Sequence, residues 1–207
     1  LYQKLEDDYN IRSLAVEVNG TRCLTTKGVK QITSPSDLKG VKIRSMEAQV
    51  WQDVITALGG TPIPVSFSEL YMALQTGVVN GQDNPISVTY ANKLYEVADY
   101  IYRTDHCYNT SMWLINPDAY DALDEEDRAL FDSLVEKYIH GQYRDEMGAY
   151  TEKAVADIES SGCQIIDSSE FDIQAFYDNA AQLIDEKYMT NDAYAPFIQE
   201  IRERYHY

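Results

Sequence analysis

The residue best suited to chemistry in this chain is Arg44, which closes the segment Lys39-Gly40-Val41-Lys42-Ile43-Arg44. Val41 and Ile43 alternate with polar residues after a glycine, which reads as a short buried strand, so Arg44 is delivered from a rigid strand end. A guanidinium placed in that way is suited to an anion. Its planar N–H fork matches the two oxygens of a carboxylate, which a lysine ammonium cannot do. A structural ion pair with an internal acid is the competing role for the same side chain. Asp105 and His106 offer a second chemistry, as acid and base of a hydrolase or lyase acting on a carboxylate substrate. Neighbours on a strand point to opposite faces, which argues against that pair. The chain has no G-x-S-x-G, Walker or G-x-G-x-x-G motif, and its three histidines, His106, His140 and His206, lack metal-ligand spacing. The three cysteines, Cys23, Cys107 and Cys163, show no C-x-x-C spacing and read as small buried hydrophobes. No enzyme, metal or cofactor reading competes strongly.

The elements that must position Arg44 run from Asp37 to Pro85. After the Arg44 strand, Val50, Val54, Ile55 and Leu58 form a helical stripe, and Gly59-Gly60 leads into a strand at Thr61 to Val65. Phe67 to Thr76 reads as a compact helix closed by Gly77, followed by the polar segment Asn80-Gly81-Gln82-Asp83-Asn84-Pro85. Upstream, residues 1–10 look like the tail of a helix, with Leu1 and Leu5 on one stripe. Ile11 to Val18 alternates as a strand into an Asn19-Gly20 turn, and Thr21 to Thr26 continues as extended chain. Downstream, Ile86 to Leu94 reads as helix, and Ala98 to Tyr102 and Tyr108 to Ile115 as strands. A long helix capped by Asp124 runs to Ile158 with Gly141 and Gly148 as weak points. Cys163 to Ile166 is a strand, and Phe171 to Tyr188 and Ala193 to Tyr205 are helices. Strands and helices alternating in this way predict an α/β fold with a mixed, mainly parallel sheet, and the long helix predicts two lobes that it bridges.

Composition narrows the function. At 207 residues with 44% hydrophobic content, the chain can bury one large core or two small ones. It contains no apolar run near the ~18 to 20 residues that a membrane-spanning helix needs, so no direct membrane insertion is expected. The balance of 17 basic against 34 acidic residues argues against nucleic acid. The basic residues are unevenly placed: Arg12, Arg22, Lys27, Lys30, Lys39, Lys42 and Arg44 face only Glu17 and Asp37 between Tyr9 and Met46. The rest of the chain is strongly acidic.

The segments Asp37-Leu38-Lys39-Gly40-Val41-Lys42-Ile43-Arg44, Phe67-Ser68-Glu69-Leu70-Tyr71, Ala73-Leu74-Gln75-Thr76-Gly77, Asn80-Gly81-Gln82-Asp83-Asn84-Pro85 and Tyr95-Glu96-Val97 occur in an order and spacing that resemble the solute-binding proteins of TRAP transporters, the C4-dicarboxylate-binding family. Asn19-Gly20-Thr21-Arg22, His106 and the helix start at Leu123 to Arg128 extend the resemblance. It implies a two-lobed periplasmic or extracytoplasmic binding protein that closes on a small organic acid and works with TRAP membrane permease subunits. Residues 1–40 would be the remainder of lobe 1 and a crossover, 41–105 the core of lobe 2, and 106–207 the return strands, bridging helix and C-terminal helices. Family members are longer at the N-terminus, and the chain opens on Leu1 rather than methionine, so a longer precursor with a signal peptide is expected. An extracytoplasmic sensing module that binds the same acid is the alternative.

The resemblance also implies site residues. Arg44 would hold the ligand carboxylate by a two-point salt bridge. Arg22 would act on the same carboxylate or on a distal polar group, Asn84 would contact the bound acid, and Phe67 would line the cleft. His106 would lie near the cleft, with Asn109 beyond it on the following strand. Glu47 cannot help a second carboxylate but can accept hydrogen bonds from hydroxyls, which points to a sugar acid over succinate-like diacids.

Overall fold

The computed structural model describes residues 2–205. It begins with α1 (Tyr2–Tyr9), and the reading of Leu1 as part of that helix lies outside the described residues. β1 (Arg12–Thr26) follows as one strand of 15 residues. The turn expected at Asn19-Gly20 is instead an irregularity inside this strand: Gly20 takes φ +97 and the register against the partner strand shifts between Val18 and Thr21. A glycine in this left-handed region lets the strand bend without ending.

Next come β2 (Lys42–Ser45), α2 (Gln49–Ala57), β3 (Thr61–Pro64), α3 (Leu70–Thr76), β4 (Gly81–Pro85) and α4 (Ile86–Ala91). Gly77 closes α3 at φ +76, the left-handed cap that its position suggests. β5 (Tyr100–Tyr102) and β6 (Tyr108–Ile115) lead to α5 (Pro117–Asp121) and α6 (Glu125–Leu134), whose N-cap Asp124 accepts from the Asp127 N–H. A π-helical stretch, Val135–Gln142, joins α6 to α7 (Tyr143–Ser161). The expected long helix is thus present with a widened middle that includes Gly141. β7 (Gln164–Ile166), α8 (Ile173–Leu183), a second π-helical turn at Ile184–Tyr188 and α9 (Ala195–Tyr205) complete the described chain.

The main sheet has the order β3-β2-β4-β1-β5-β7, and β6 pairs with β1 outside it. Its two flanks are parallel, β3 with β2 with β4 and β5 with β7, whereas β1 runs antiparallel between them and against β6. The sheet is therefore mixed, with parallel wings around an antiparallel centre. Helices cover both faces. Leu24, Ile43 and Tyr102 pack with Ile55 and Leu58 on or next to α2 and with Phe176 of α8. Cys23 and Ile101 pack on the opposite face with Ile86 of α4 and Ala154 and Ile158 of α7. Each fully buried aliphatic side chain of this kind contributes about 1.5–3 kcal/mol. The long helical run touches both parts of the molecule: His140 and Tyr143 approach Glu17 and Trp113 of the β1–β6 ladder, and Ala154 and Ile158 enter the main core.

Cys23, Cys107 and Cys163 are free thiols; Cys23 and Cys163 are buried and Cys107 is half-buried.

Candidate functional site

β2, β3 and β4 are parallel neighbours and end along one edge of the sheet, at Ser45, Pro64 and Pro85. In open α/β sheets ligands gather in the crevice outside such carboxyl ends. Arg44 is the penultimate residue of β2 and only 3% exposed. Its Nε–H donates to the Val65 carbonyl at 2.8 Å, and its guanidinium carbon lies 5.6 Å from the centre of the Phe67 ring. Among the described residues it has no carboxylate in ion-pair range, so the structural ion pair weighed for it does not form. Burial pushes its pKa down, the nearby Asp83 charge opposes this and the Arg22 charge adds to it.

Arg22 is just as buried but engaged differently. Its Nε–H donates to Asp83 Oδ2 at 2.7 Å, one terminal N–H donates to the Asp83 carbonyl, and the other terminal nitrogen donates to Asn109 Oδ1 at 3.0 Å. The Trp51 ring of α2 covers the guanidinium at 4.6 Å. His106 approaches the same carboxylate, with Nε2 3.4 Å from Asp83 Oδ2 and Nδ1 2.8 Å from Thr104 Oγ1. Burial raises the Asp83 pKa, but the hydrogen bonds from His106 and Arg22 outweigh it and leave the carboxyl below its usual range.

Strand alternation separates these groups. Register places Arg22 opposite Pro85, and Asp83 opposite Leu24, on the α2 side of the sheet. Asn84 pairs with Cys23 on the other side, the side that Arg44 shares. Its side-chain amide donates to Gln82 Oε1, and Gln82 Nε2 donates to Thr25 Oγ1 at 2.8 Å and Thr89 Oγ1 at 3.2 Å. The structure therefore gathers Arg44, Phe67 and Asn84 on one side of the carboxyl end of β4. Arg22, His106 and Asn109 meet around Asp83 on the other. Glu47 is exposed just before α2, and the contact it makes is through its backbone carbonyl, which accepts from Gln52. Tyr71 and Tyr90, the nearest tyrosines in sequence, bond elsewhere, to Glu96 and Asp157.

With this geometry in view, residues 1–191 match the family described as bacterial extracellular solute-binding protein, family 7. The chain belongs to that family. Its relatives include the ectoine/5-hydroxyectoine-binding periplasmic protein UehA of Ruegeria pomeroyi, 31% identical over 98% of this chain and 60% of that protein. A TRAP periplasmic solute-binding protein from Roseobacter denitrificans, solved with bound 3-deoxy-D-manno-oct-2-ulosonic acid, superposes at TM-score 0.81 with 29% identity over 90% of this chain and 61% of that one. Another from Sulfitobacter, solved with β-D-galacturonate, gives TM-score 0.82 and 25% identity over 93% of this chain and 62% of that one. The family member described here thus spans about 60% of the length of such relatives.

Two site residues were not legible from the family-7 sequence itself. Asp83 lies inside a recognisable segment, but its partner Arg22 is 61 residues away and only the β1–β4 register brings them together. Trp51 reads as a helix residue, and its position over Arg22 depends on how α2 docks. The one available signal was an acid set between Gln82 and Asn84 in a short polar strand, which is an unusual place for a carboxylate to be buried unless it has a cation.

Proposed function

We propose that the chain is the solute-binding component of a TRAP transporter, holding a carboxylate-bearing small molecule in the periplasm or another extracytoplasmic space and delivering it to membrane permease subunits. Arg44 carries this reading. A guanidinium almost wholly removed from water, with one N–H on a backbone carbonyl and no acid in ion-pair range among the described residues, is costly unless an anion completes it. Its place at the carboxyl ends of three parallel strands is where an α/β sheet presents a ligand. Phe67 and Asn84 would line the same pocket, and Glu47 at its mouth would meet hydroxyls. Arg22, His106 and Asn109 would form its second wall. The division into 1–40, 41–105 and 106–207 belongs to the same proposal.

The acid–base alternative loses its geometry. Asp105 bonds the Thr21 hydroxyl while His106 faces Thr104 and Asp83, so the two side chains serve different partners and do not converge.

Arg44→Ala tests the reading. Two charge-assisted hydrogen bonds are worth about 1.5–3 kcal/mol each, so removing them should weaken binding by roughly a hundredfold or more at ~1.4 kcal/mol per decade. In a thermal-shift screen against sugar acids, dicarboxylates and keto acids, a true ligand at a hundredfold excess over Kd stabilises by about 2.7 kcal/mol. The Ala variant should lose that shift while its unliganded melting stays cooperative. Undiminished protection of Arg44→Ala would overturn the role given to Arg44.

A further inference from the structure

The two buried arginines flank the end of β4, but their charges are not equally available. Arg22 has Asp83 at 2.7 Å, and both side chains are almost fully buried, at 3% and 4% exposed. Burial pushes the Asp83 carboxyl up, yet the hydrogen bonds from His106 and Arg22 bring it below the ordinary range, so it is ionised at neutral pH. Thr104 Oγ1 accepts from the Leu24 N–H at 3.3 Å and lies 2.8 Å from His106 Nδ1, while His106 Nε2 lies 3.4 Å from Asp83 Oδ2. The adjacent Cys107 thiol is pushed up by burial and stays protonated. Arg22 and Asp83 therefore pair, and Arg44 is the one of the two arginines with no carboxylate in ion-pair range among the described residues.

We propose that Asp83 sets the charge selectivity of the site: by pairing Arg22 it leaves Arg44 as the one unpaired guanidinium of the two, so the site takes ligands with a single carboxylate and rejects dicarboxylates. This rests on Arg44 holding a carboxylate. A second carboxylate placed on the Arg22 side would meet a guanidinium already occupied and, directly behind it, the like charge of Asp83. In a water-poor pocket such a charge must leave, or take up a proton. A hydroxyl or other neutral polar group suits that side, because Arg22 retains donors beyond the three that the protein uses.

The test uses matched acids that differ by one charge, gluconate against glucarate and succinamate against succinate, with calorimetry at pH 8 in two buffers of different ionisation heat. The expected result is that monoanions bind at least tenfold more tightly than their dianionic partners and without proton exchange, while any dianion that binds takes up close to one proton. Asp83→Asn keeps the size of the side chain and removes its charge. In that variant the dianion-to-monoanion affinity ratio should rise by tenfold or more, a change that a merely structural role for Asp83 would not produce, since both affinities would then fall together. Should the variant not fold, the proton count on the wild-type chain still decides. Dianions that bind as tightly as monoanions with no proton uptake would overturn the role of Asp83 and leave the carboxylate reading standing. A panel in which no acid of either charge binds would overturn both.

Discussion

A single strand, β1, runs through two different environments. Its inner half, Arg22 to Thr26, lies between β4 and β5 with helices over both faces, and every residue in it is buried. Its outer half pairs with β6 alone and alternates: Ala15 and Glu17 turn inward under the long helix, while Val16 and Val18 are 39% and 52% exposed. Met112, opposite Val16, continues that apolar face on β6. The same backbone conformation is thus held by full burial at one end and by a two-stranded ladder at the other. Where burial is complete, an unpaired charge or a neutralised one carries energetic weight. On the outward face of the ladder, water screens it.

The sharpest way to break this comparison uses two arginines on that one strand, each paired to acids. Arg22→Met would leave the Asp83 carboxylate buried without its main partner, an outcome that typically costs about 3–5 kcal/mol. Arg12, in the outer half, bonds Glu6 and Asp121 at 2.7 and 3.0 Å in a solvated setting. Arg12→Met should leave the urea midpoint essentially unchanged, as surface ion pairs do. Equal losses for the two variants would mean that the outer half is not the screened environment described above.

Apolar positions sharpen the same contrast. Leu24 is fully buried among Ile43, Tyr102 and Ile55. Leu24→Ala should cost about 2–5 kcal/mol through lost burial and the cavity left behind. Val18→Ala, six residues earlier, should stay within about 0.5 kcal/mol. Equilibrium unfolding of both variants separates the two halves. A loss of several kcal/mol at Val18 would show that its face is covered in solution.

Local pattern made part of this molecule readable. Val41 and Ile43 announced β2, Gly77 announced the end of α3, and Asp124 announced α6, because each signal acts within a few residues of its effect. Gly20 was misread as a turn because a glycine permits both a turn and a strand irregularity, and the partner across the ladder decides which. The π-helical stretch at Val135–Gln142 leaves no periodic mark distinct from an α-helix. In the candidate site, Arg44 was readable because its strand is local. The Arg22–Asp83–His106 cluster was not, because it depends on the register between β1 and β4 and on where the loop from β5 to β6 places His106.

The smallest effect is the pH dependence that this cluster imposes. The folded pKa of Asp83 is depressed, so the folded state binds its proton less readily than the unfolded chain does. Its contribution to stability is therefore fully present above the unfolded value of about 3.9 and is lost as pH falls through the lower folded value. Asp37 and Asp53 are shifted in the same direction, so an acid limb should remain when Asp83 is replaced. Asp83→Asn should make that limb shallower. Chemical denaturation from pH 7 down to pH 3 measures the slope directly. A slope unchanged by Asp83→Asn would mean that Arg22 and His106 do not hold that carboxylate ionised, and the inner half of β1 would then lose the electrostatic distinction drawn between it and the ladder.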